Sequence, residues 1–196
     1  MCQVSAIILA GGRSLRMGRN KALLEIDSKS IIERQIEELQ KGFDSVKIVC
    51  NQPEQYSELG VSLVQDEFPG CGPLAGIHAG LKSTGADAVF VVPCDMPFVT
   101  ADLGLQLLER LGEADGVVLT YQGKIEPLCA VYRKSCLSAI EEFLTEGRLK
   151  VIDFYPLVNI KFLPATELIQ GELAENVFFN INTPEEFERA KTLGTG

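Results

Sequence analysis

Two short stretches of this chain carry residues of the kind that handle phosphates and cations. The first is Ala10-Gly11-Gly12-Arg13-Ser14-Leu15-Arg16-Met17-Gly18-Arg19-Asn20-Lys21, which breaks directly out of the apolar run Val4 to Leu9. Adjacent glycines let the backbone turn sharply and bring its N–H groups close to a ligand, since no Cβ stands in the way. Four of the eighteen Lys and Arg residues (Arg13, Arg16, Arg19, Lys21) fall here, in a chain of formal net charge -9. Cations concentrated behind the first apolar run of an acidic protein point to an anion bound there. The spacing is neither the GxGxxG of a dinucleotide site nor the Walker spacing of an ordinary ATPase loop.

The second stretch is Pro93-Cys94-Asp95-Met96-Pro97. Asp95 closes an apolar run, and the ring of Pro97 pushes Met96 into an extended conformation that keeps the exit rigid. A carboxylate so placed suits Mg²⁺, which binds few protein carboxylates and takes its other ligands from substrate phosphates and water. Between the two lies Phe68-Pro69-Gly70-Cys71-Gly72-Pro73-Leu74-Ala75-Gly76. Its stiff backbone and small side chains suit a wall against a flat base.

Together these parts fit nucleotidyl transfer better than hydrolysis. An anionic nucleophile attacks the α-phosphorus of a nucleoside triphosphate, pyrophosphate leaves, and the protein supplies positioning and charge neutralisation. A phosphate nucleophile is already deprotonated near neutral pH, so no His or Ser triad is needed. In this reading Arg16 and Lys21 neutralise the triphosphate and Asp95 holds the metal. The single histidine, His78, is expected to be a packed helix residue.

The elements that must position these residues are legible as apolar, β-branched runs: Val4 to Leu9, Val46 to Cys50, Val61 to Val64, Ala88 to Val92, Val117 to Leu119, Leu128 to Tyr132 and Phe178 to Ile181. Such runs suit strands buried on both faces. Ser30-Ile31-Ile32-Glu33 reads as a capping box opening a helix, with Ile32, Ile36 and Leu39 at helical spacing. Thr183-Pro184-Glu185-Glu186 reads as another, with proline at the first helical position. Alternating strands and helices predict an α/β doubly wound fold, a mostly parallel sheet with helices on both faces, over a single domain of residues 1–196. Ligands sit beyond the carboxyl ends of such strands. Gly11, Asn51, Asp66 and Asp95 all follow the ends of these runs.

With 46% apolar and 23% charged residues the composition is that of an ordinary globular protein. No apolar run reaches a membrane span, and Met1-Cys2-Gln3 carries no basic region before a signal-like core, so the expected location is the cytoplasm. Net negative charge argues against nucleic-acid binding. The six cysteines show no CxxC spacing, which argues against zinc and for reduced thiols packed as small hydrophobes.

The chain resembles the molybdenum cofactor guanylyltransferases, which join GTP to molybdopterin and release pyrophosphate. The resemblance runs through Leu9-Ala10-Gly11-Gly12 with Arg16-Met17-Gly18 and Lys21, Asp66 with Gly72 to Gly76, Pro93 to Pro97, Pro127-Leu128 and Asn180-Ile181-Asn182-Thr183-Pro184-Glu185-Glu186. It implies a nucleotide-diphospho-sugar transferase-like fold, backbone contacts from Leu9, Ala10 and Gly11 to GTP, and phosphate contacts from Lys21 and Arg16. It further implies that Asp66 meets the nucleoside and that Asp95 binds Mg²⁺ and GTP. Arg148, Lys150, Asn180 and Asn182 resemble the family's pterin side, and Glu126 is expected to point away from an anionic pterin phosphate. The implied partners are GTP, molybdopterin and, in transient contact, cofactor-synthesis or acceptor proteins. The competing readings on the same fold are a molybdopterin cytidylyltransferase and a sugar-phosphate nucleotidyltransferase. Gly11-Gly12 fits the guanylyl branch, and sugar-phosphate enzymes are generally longer. A nucleotide-binding regulator without chemistry is disfavoured by Arg16, Lys21 and Asp95, groups most needed in a transition state.

Overall fold

A computed structural model describes residues 4–11, 20–169 and 171–193. Gly12, Arg13, Arg16 and Arg19 lie outside the described residues. The elements follow as β1 (Ser5–Leu9), β2 (Glu25–Ile26), β3 (Lys29–Ser30), α1 (Ile31–Leu39), β4 (Ser45–Val49), β5 (Ser62–Val64), α2 (Gly72–Ser83) and β6 (Ala88–Pro93). They continue with α3 (Ala101–Glu109), β7 (Gly116–Tyr121), β8 (Lys124–Arg133), α4 (Leu137–Thr145), β9 (Ile160–Pro164), α5 (Glu172–Val177) and α6 (Pro184–Leu193).

Seven strands form one sheet in the order β5-β4-β1-β6-β8-β7-β9, and β2 pairs with β3 in a separate ribbon. Within the large sheet β8 alone runs against its neighbours, antiparallel to both β6 and β7. The doubly wound, mostly parallel α/β fold expected from the sequence is therefore present.

The apolar runs are explained by burial on two faces, because successive side chains of a strand point to opposite sides. Ala6 and Ile8 of β1 join a core with Ile32, Ile36 and Leu39 of α1 and Leu103 and Leu107 of α3. Ile7 and Leu9 join the opposite core with Leu74 and Ile77 of α2 and Ile140 and Phe143 of α4. A smaller cluster of Ile26, Ile31, Ile181 and Ala190 fixes the β2–β3 ribbon against the C-terminal segment.

Both capping boxes form. Ser30 Oγ accepts from the Glu33 N–H, and Glu33 Oε2 accepts from the Ser30 N–H. At α6, Thr183 Oγ1 accepts from the Glu186 N–H at 3.2 Å, while Glu186 Oε2 accepts from the N–H groups of Thr183 and Asn182 at 2.9 and 2.6 Å.

One expected strand is not one. Phe178 to Ile181 leaves α5 as irregular chain, and its apolar residues are used singly. The Phe178 N–H bonds back to Ala174, Phe178 stacks on Tyr121, and Ile181 enters the small cluster. The edge strand β9 was not anticipated, because Ile160-Lys161-Phe162-Leu163-Pro164 has only one fully apolar neighbour pair and carries an exposed Lys161.

Candidate active site

Strand β1 is the switch point of the sheet. The chain winds from β1 outward through β4 and β5, then returns to lay β6 on the other side of β1. The opposed connections open a crevice at the carboxyl ends of β1 and β6. The ladder continues past the strand ends and sets the register there. The Ala10 N–H donates to Val49 O at 2.9 Å, the Cys94 N–H to Leu9 O at 3.1 Å, and the Cys50 N–H to Val64 O at 2.9 Å. Ala10-Gly11, Asn51 and Asp95 therefore emerge side by side, with Asp66 at the exit of β5. Asn51 Nδ2 lies 4.0 Å from where a Cβ on Gly11 would stand. The Asp66 carboxylate has a buried oxygen, Oδ1, without a hydrogen-bond partner among the described residues, an acceptor suited to a nucleoside N–H or hydroxyl.

Both ends of the glycine-rich basic segment are tied to one phenol. Tyr56 is buried in the core, its O–H donates to Ala10 O at 3.3 Å, and it accepts from Asn20 Nδ2 at 2.8 Å. Burial pushes the Tyr56 hydroxyl up to about 12, so it stays protonated and able to donate. Asn20 Oδ1 in turn accepts from the Ala22 N–H, capping the short 3₁₀ turn that carries Lys21.

Asp95, Lys21 and Asn182 form the charged centre. Lys21 Nζ donates to Asn182 Oδ1 at 2.8 Å, and the Ile181 N–H donates to the backbone oxygen of Asp95 at 2.9 Å. The C-terminal segment thus crosses the mouth of the crevice. Burial raises the Asp95 carboxyl above the usual carboxylate range, the Lys21 ammonium opposes the shift, and the neighbouring Glu186 adds to it. A partly buried carboxylate with a second carboxylate nearby is a place where a cation is favoured. The Cys94 thiol, pushed up to about 12 by its burial, remains neutral beside it.

Next to this centre lies a cleft of about 580 Å³ lined by Tyr121, Phe178, Asn180, Asn182, Glu186 and Arg189, among others. Tyr121 and Phe178 are stacked with centroids 4.4 Å apart, and the Arg189 guanidinium lies 5.4 Å from the Phe179 ring centroid. Tyr121 and Arg189 are common residue types in unremarkable sequence, and no motif signals them. Asn180 and Asn182 both line this cleft, although on irregular chain and not on the strand exit expected. Arg148 and Lys150 are not among its lining residues. The Arg148 guanidinium lies 3.7 Å over the Phe143 ring, and Lys150 precedes a 3₁₀ turn. Arg16 lies outside the described residues. Glu126 is held on β8, where burial raises its carboxyl. His78 is fully buried on α2 with Nε2 2.8 Å from Glu141 Oε1, a packed helix residue as expected.

Fold and crevice define a nucleotidyltransferase-like α/β domain, and the comparisons place it further. Residues 6–156 match the MobA-like NTP transferase domain. The chain is 39% identical over 189 residues to a probable molybdenum cofactor guanylyltransferase of Carboxydothermus hydrogenoformans, covering 96% of this chain and 95% of the relative. It is 40% identical over 193 residues to one of Pelotomaculum thermopropionicum, covering 98% and 94%. Among solved structures it is similar to molybdopterin-guanine dinucleotide biosynthesis protein A of Archaeoglobus fulgidus, with TM-score 0.85, 28% identity, and coverage of 98% of this chain and 99% of that one. The chain belongs to the molybdenum cofactor guanylyltransferase family.

Proposed function

We propose that the chain, working as one nucleotidyltransferase domain, transfers GMP from GTP to the phosphate of molybdopterin and releases pyrophosphate. The observation that carries this reading is the junction of Lys21, Asn182 and Asp95, where a phosphate-binding segment, a metal-type carboxylate and an adjoining aromatic and amide-lined cleft meet. An oxygen of the acceptor phosphate forms a bond to the α-phosphorus of GTP. The bond from that phosphorus to the α–β bridging oxygen breaks, and its electron pair leaves on pyrophosphate. A phosphate monoester has its second pKa near 6, so the nucleophile arrives deprotonated and no side chain need act as base.

The backbone of Leu9, Ala10 and Gly11 receives the nucleotide, and Asp66 meets its nucleoside. Of these backbone groups, the Ala10 N–H is already bonded to Val49, which leaves Gly11 the better placed donor. Lys21 and Arg16 neutralise the triphosphate. Asn180 and Asn182 present amides that both donate and accept, as a pterin edge requires. The stacked Tyr121 and Phe178 border the same cleft, while Arg148 and Lys150 act, if on the acceptor, from outside it.

Asp95 fits a hard divalent cation, Mg²⁺ in this reading. No group of three or more metal-type ligands occurs among the described residues, which suits an ion that takes one or two carboxylates and completes its shell with phosphates and water. When bound, such an ion neutralises developing phosphate charge. The five described cysteines are free thiols, which suits the reducing cytoplasm.

Incubating the protein with molybdopterin, Mg²⁺ and each nucleoside triphosphate in turn tests the assignment. The expected outcome is a GMP adduct with stoichiometric pyrophosphate from GTP alone. A CMP adduct, or turnover on a sugar phosphate only, would overturn it.

A further inference from the structure

The buried face of α1 is aliphatic except at one position. Ile31, Ile32, Ile36 and Leu39 are buried there, and so is Gln35, with 1% of its surface exposed. Its Nε2 donates to two carbonyls on either side of Asp95, Pro93 O at 3.0 Å and Met96 O at 2.8 Å. These partners settle which way the amide points, because the flipped rotamer would set its oxygen against two carbonyl oxygens. The other bonds to the same carbonyls are longer, 3.4 Å from the Met96 N–H and 3.5 Å from the Val99 N–H. The amide oxygen, Oε1, is buried without a partner among the described residues. A buried acceptor left unpaired is unfavourable, and an aliphatic side chain of the same length would avoid it. The amide is thus spent on the two carbonyls that flank Asp95, with its own oxygen left over.

We propose that Gln35 is a positioning residue whose amide holds the Pro93–Met96 turn so that Asp95 faces the crevice, an inference that rests on the role of Asp95 in the proposed transfer. The Ile181 N–H holds the same turn through the Asp95 carbonyl, at 2.9 Å. Two clamps from distant parts of the chain therefore set one carboxylate.

Gln35→Met keeps length and volume and removes both the donor and the orphaned oxygen. The unfolding temperature is expected to stay within about 3 °C of the parent protein, since lost bonds and a removed orphan offset each other. In the same protein kcat should fall about tenfold to a hundredfold while KM for GTP changes less than about twofold, the pattern of a misplaced group acting in the transition state. Calorimetric titration of Mn²⁺ into the GTP complex should show binding weakened several-fold, a readout independent of turnover. If Gln35→Met does not fold, Gln35→Asn, one methylene too short to reach both carbonyls, carries the same expectations. A folded variant with unchanged kcat, or one that loses stability while turnover per folded molecule is intact, overturns the proposal. Asp95→Asn is measured alongside: if it retains full turnover, the role of Asp95 falls and Gln35 with it. If it is inactive while Gln35→Met is fully active, only the Gln35 assignment falls.

Discussion

Lys21 and Asn182 are 161 residues apart in sequence and 2.8 Å apart in space. In the proposed transfer the contact joins a side chain assigned to the triphosphate with one assigned to the pterin, and we propose that Asn182 serves both sides of that reaction, lining the cleft and aiming the ammonium. Asn180 does not share this role, for its Nδ2 bonds to Phe178 O at 3.2 Å, within its own segment. A double-mutant cycle separates the two. Lys21→Ala should cost about a hundredfold in kcat/KM, the scale of one charged group acting on a transferring phosphate. Asn182→Ala should cost about tenfold toward GTP as well as toward molybdopterin, and the pair together should cost little more than Lys21→Ala alone. Asn180→Ala should raise KM for molybdopterin and leave that for GTP within about twofold. Additive effects of Lys21→Ala and Asn182→Ala would show that the contact aims nothing.

Among the elements, α3 approaches the sheet more closely than any side chain at Gly104 would permit. A Cβ there would lie 2.4 Å from Phe90 Cδ1 and 2.7 Å from Phe43 Cζ, two rings already stacked on each other. Alanine favours a helix interior over glycine by about 1 kcal/mol, but overpacking a fixed aromatic pair costs about 1–3 kcal/mol. The clash wins, and Gly104→Ala should lower the urea midpoint with an unchanged slope. A higher midpoint would mean that the rings shift freely. At the far side of the sheet Asp115 ties three strands. Ser135 Oγ donates to its Oδ1, the Asn159 N–H donates to its Oδ2 at 2.8 Å, and its backbone oxygen accepts from the Arg133 N–H at 2.7 Å. The Ser135 hydroxyl first, then the Asn159 amide, hold its carboxyl below the usual range. A depressed carboxyl stabilises the fold above its unfolded pKa, about 3.9, and that contribution disappears as pH falls through the lower folded value. Asp115→Ala should therefore cost about 1–2 kcal/mol at neutral pH, a deficit that narrows below about pH 4; a deficit independent of pH would rule out the ionised carboxylate. The central strands β1 and β6 were readable because every position after the first is apolar and buried. The stretch Phe178 to Ile181 looked the same and is not a strand, since apolar residues spent singly on Tyr121, Phe98 and the Ile26–Ile31 cluster leave the same composition as a strand face. Composition records burial, and only pairing distinguishes its form.

At the scale of the molecule the candidate site joins the two ends of the chain, and this determined how much of it could be read. Gly11 and Asp95 were legible because each follows its own strand in sequence. The Lys21–Asn182 contact, the Tyr56 clasp and the Tyr121–Phe178 stack depend on how distant segments fold together, which no local spacing encodes. The C-terminal segment is packed by a small cluster, Ile26, Ile31, Ile181 and Ala190, separate from the two main cores. Segments with little buried contact open at lower free energy than core strands. If GTP binds where Lys21 and Asp95 meet, every opening that lifts Ile181 from the Asp95 carbonyl must also disturb the bound nucleotide. Binding then stabilises the closed form by mass action, and at a ligand concentration of a hundred times Kd such openings become about a hundredfold rarer. Hydrogen exchange should show this directly. Amides of Ile181, Asn182 and Thr183, bonded to Asp95 and Glu186, should slow by about that factor with saturating GTP and Mg²⁺. Asp115 and Asn159, at the distant clasp, should exchange at unchanged rates. Slowing confined to residues 9–11, 50–51 and 94–95, with the 181–183 amides unaffected, would place the nucleotide on the strand exits alone and remove the C-terminal segment from the site.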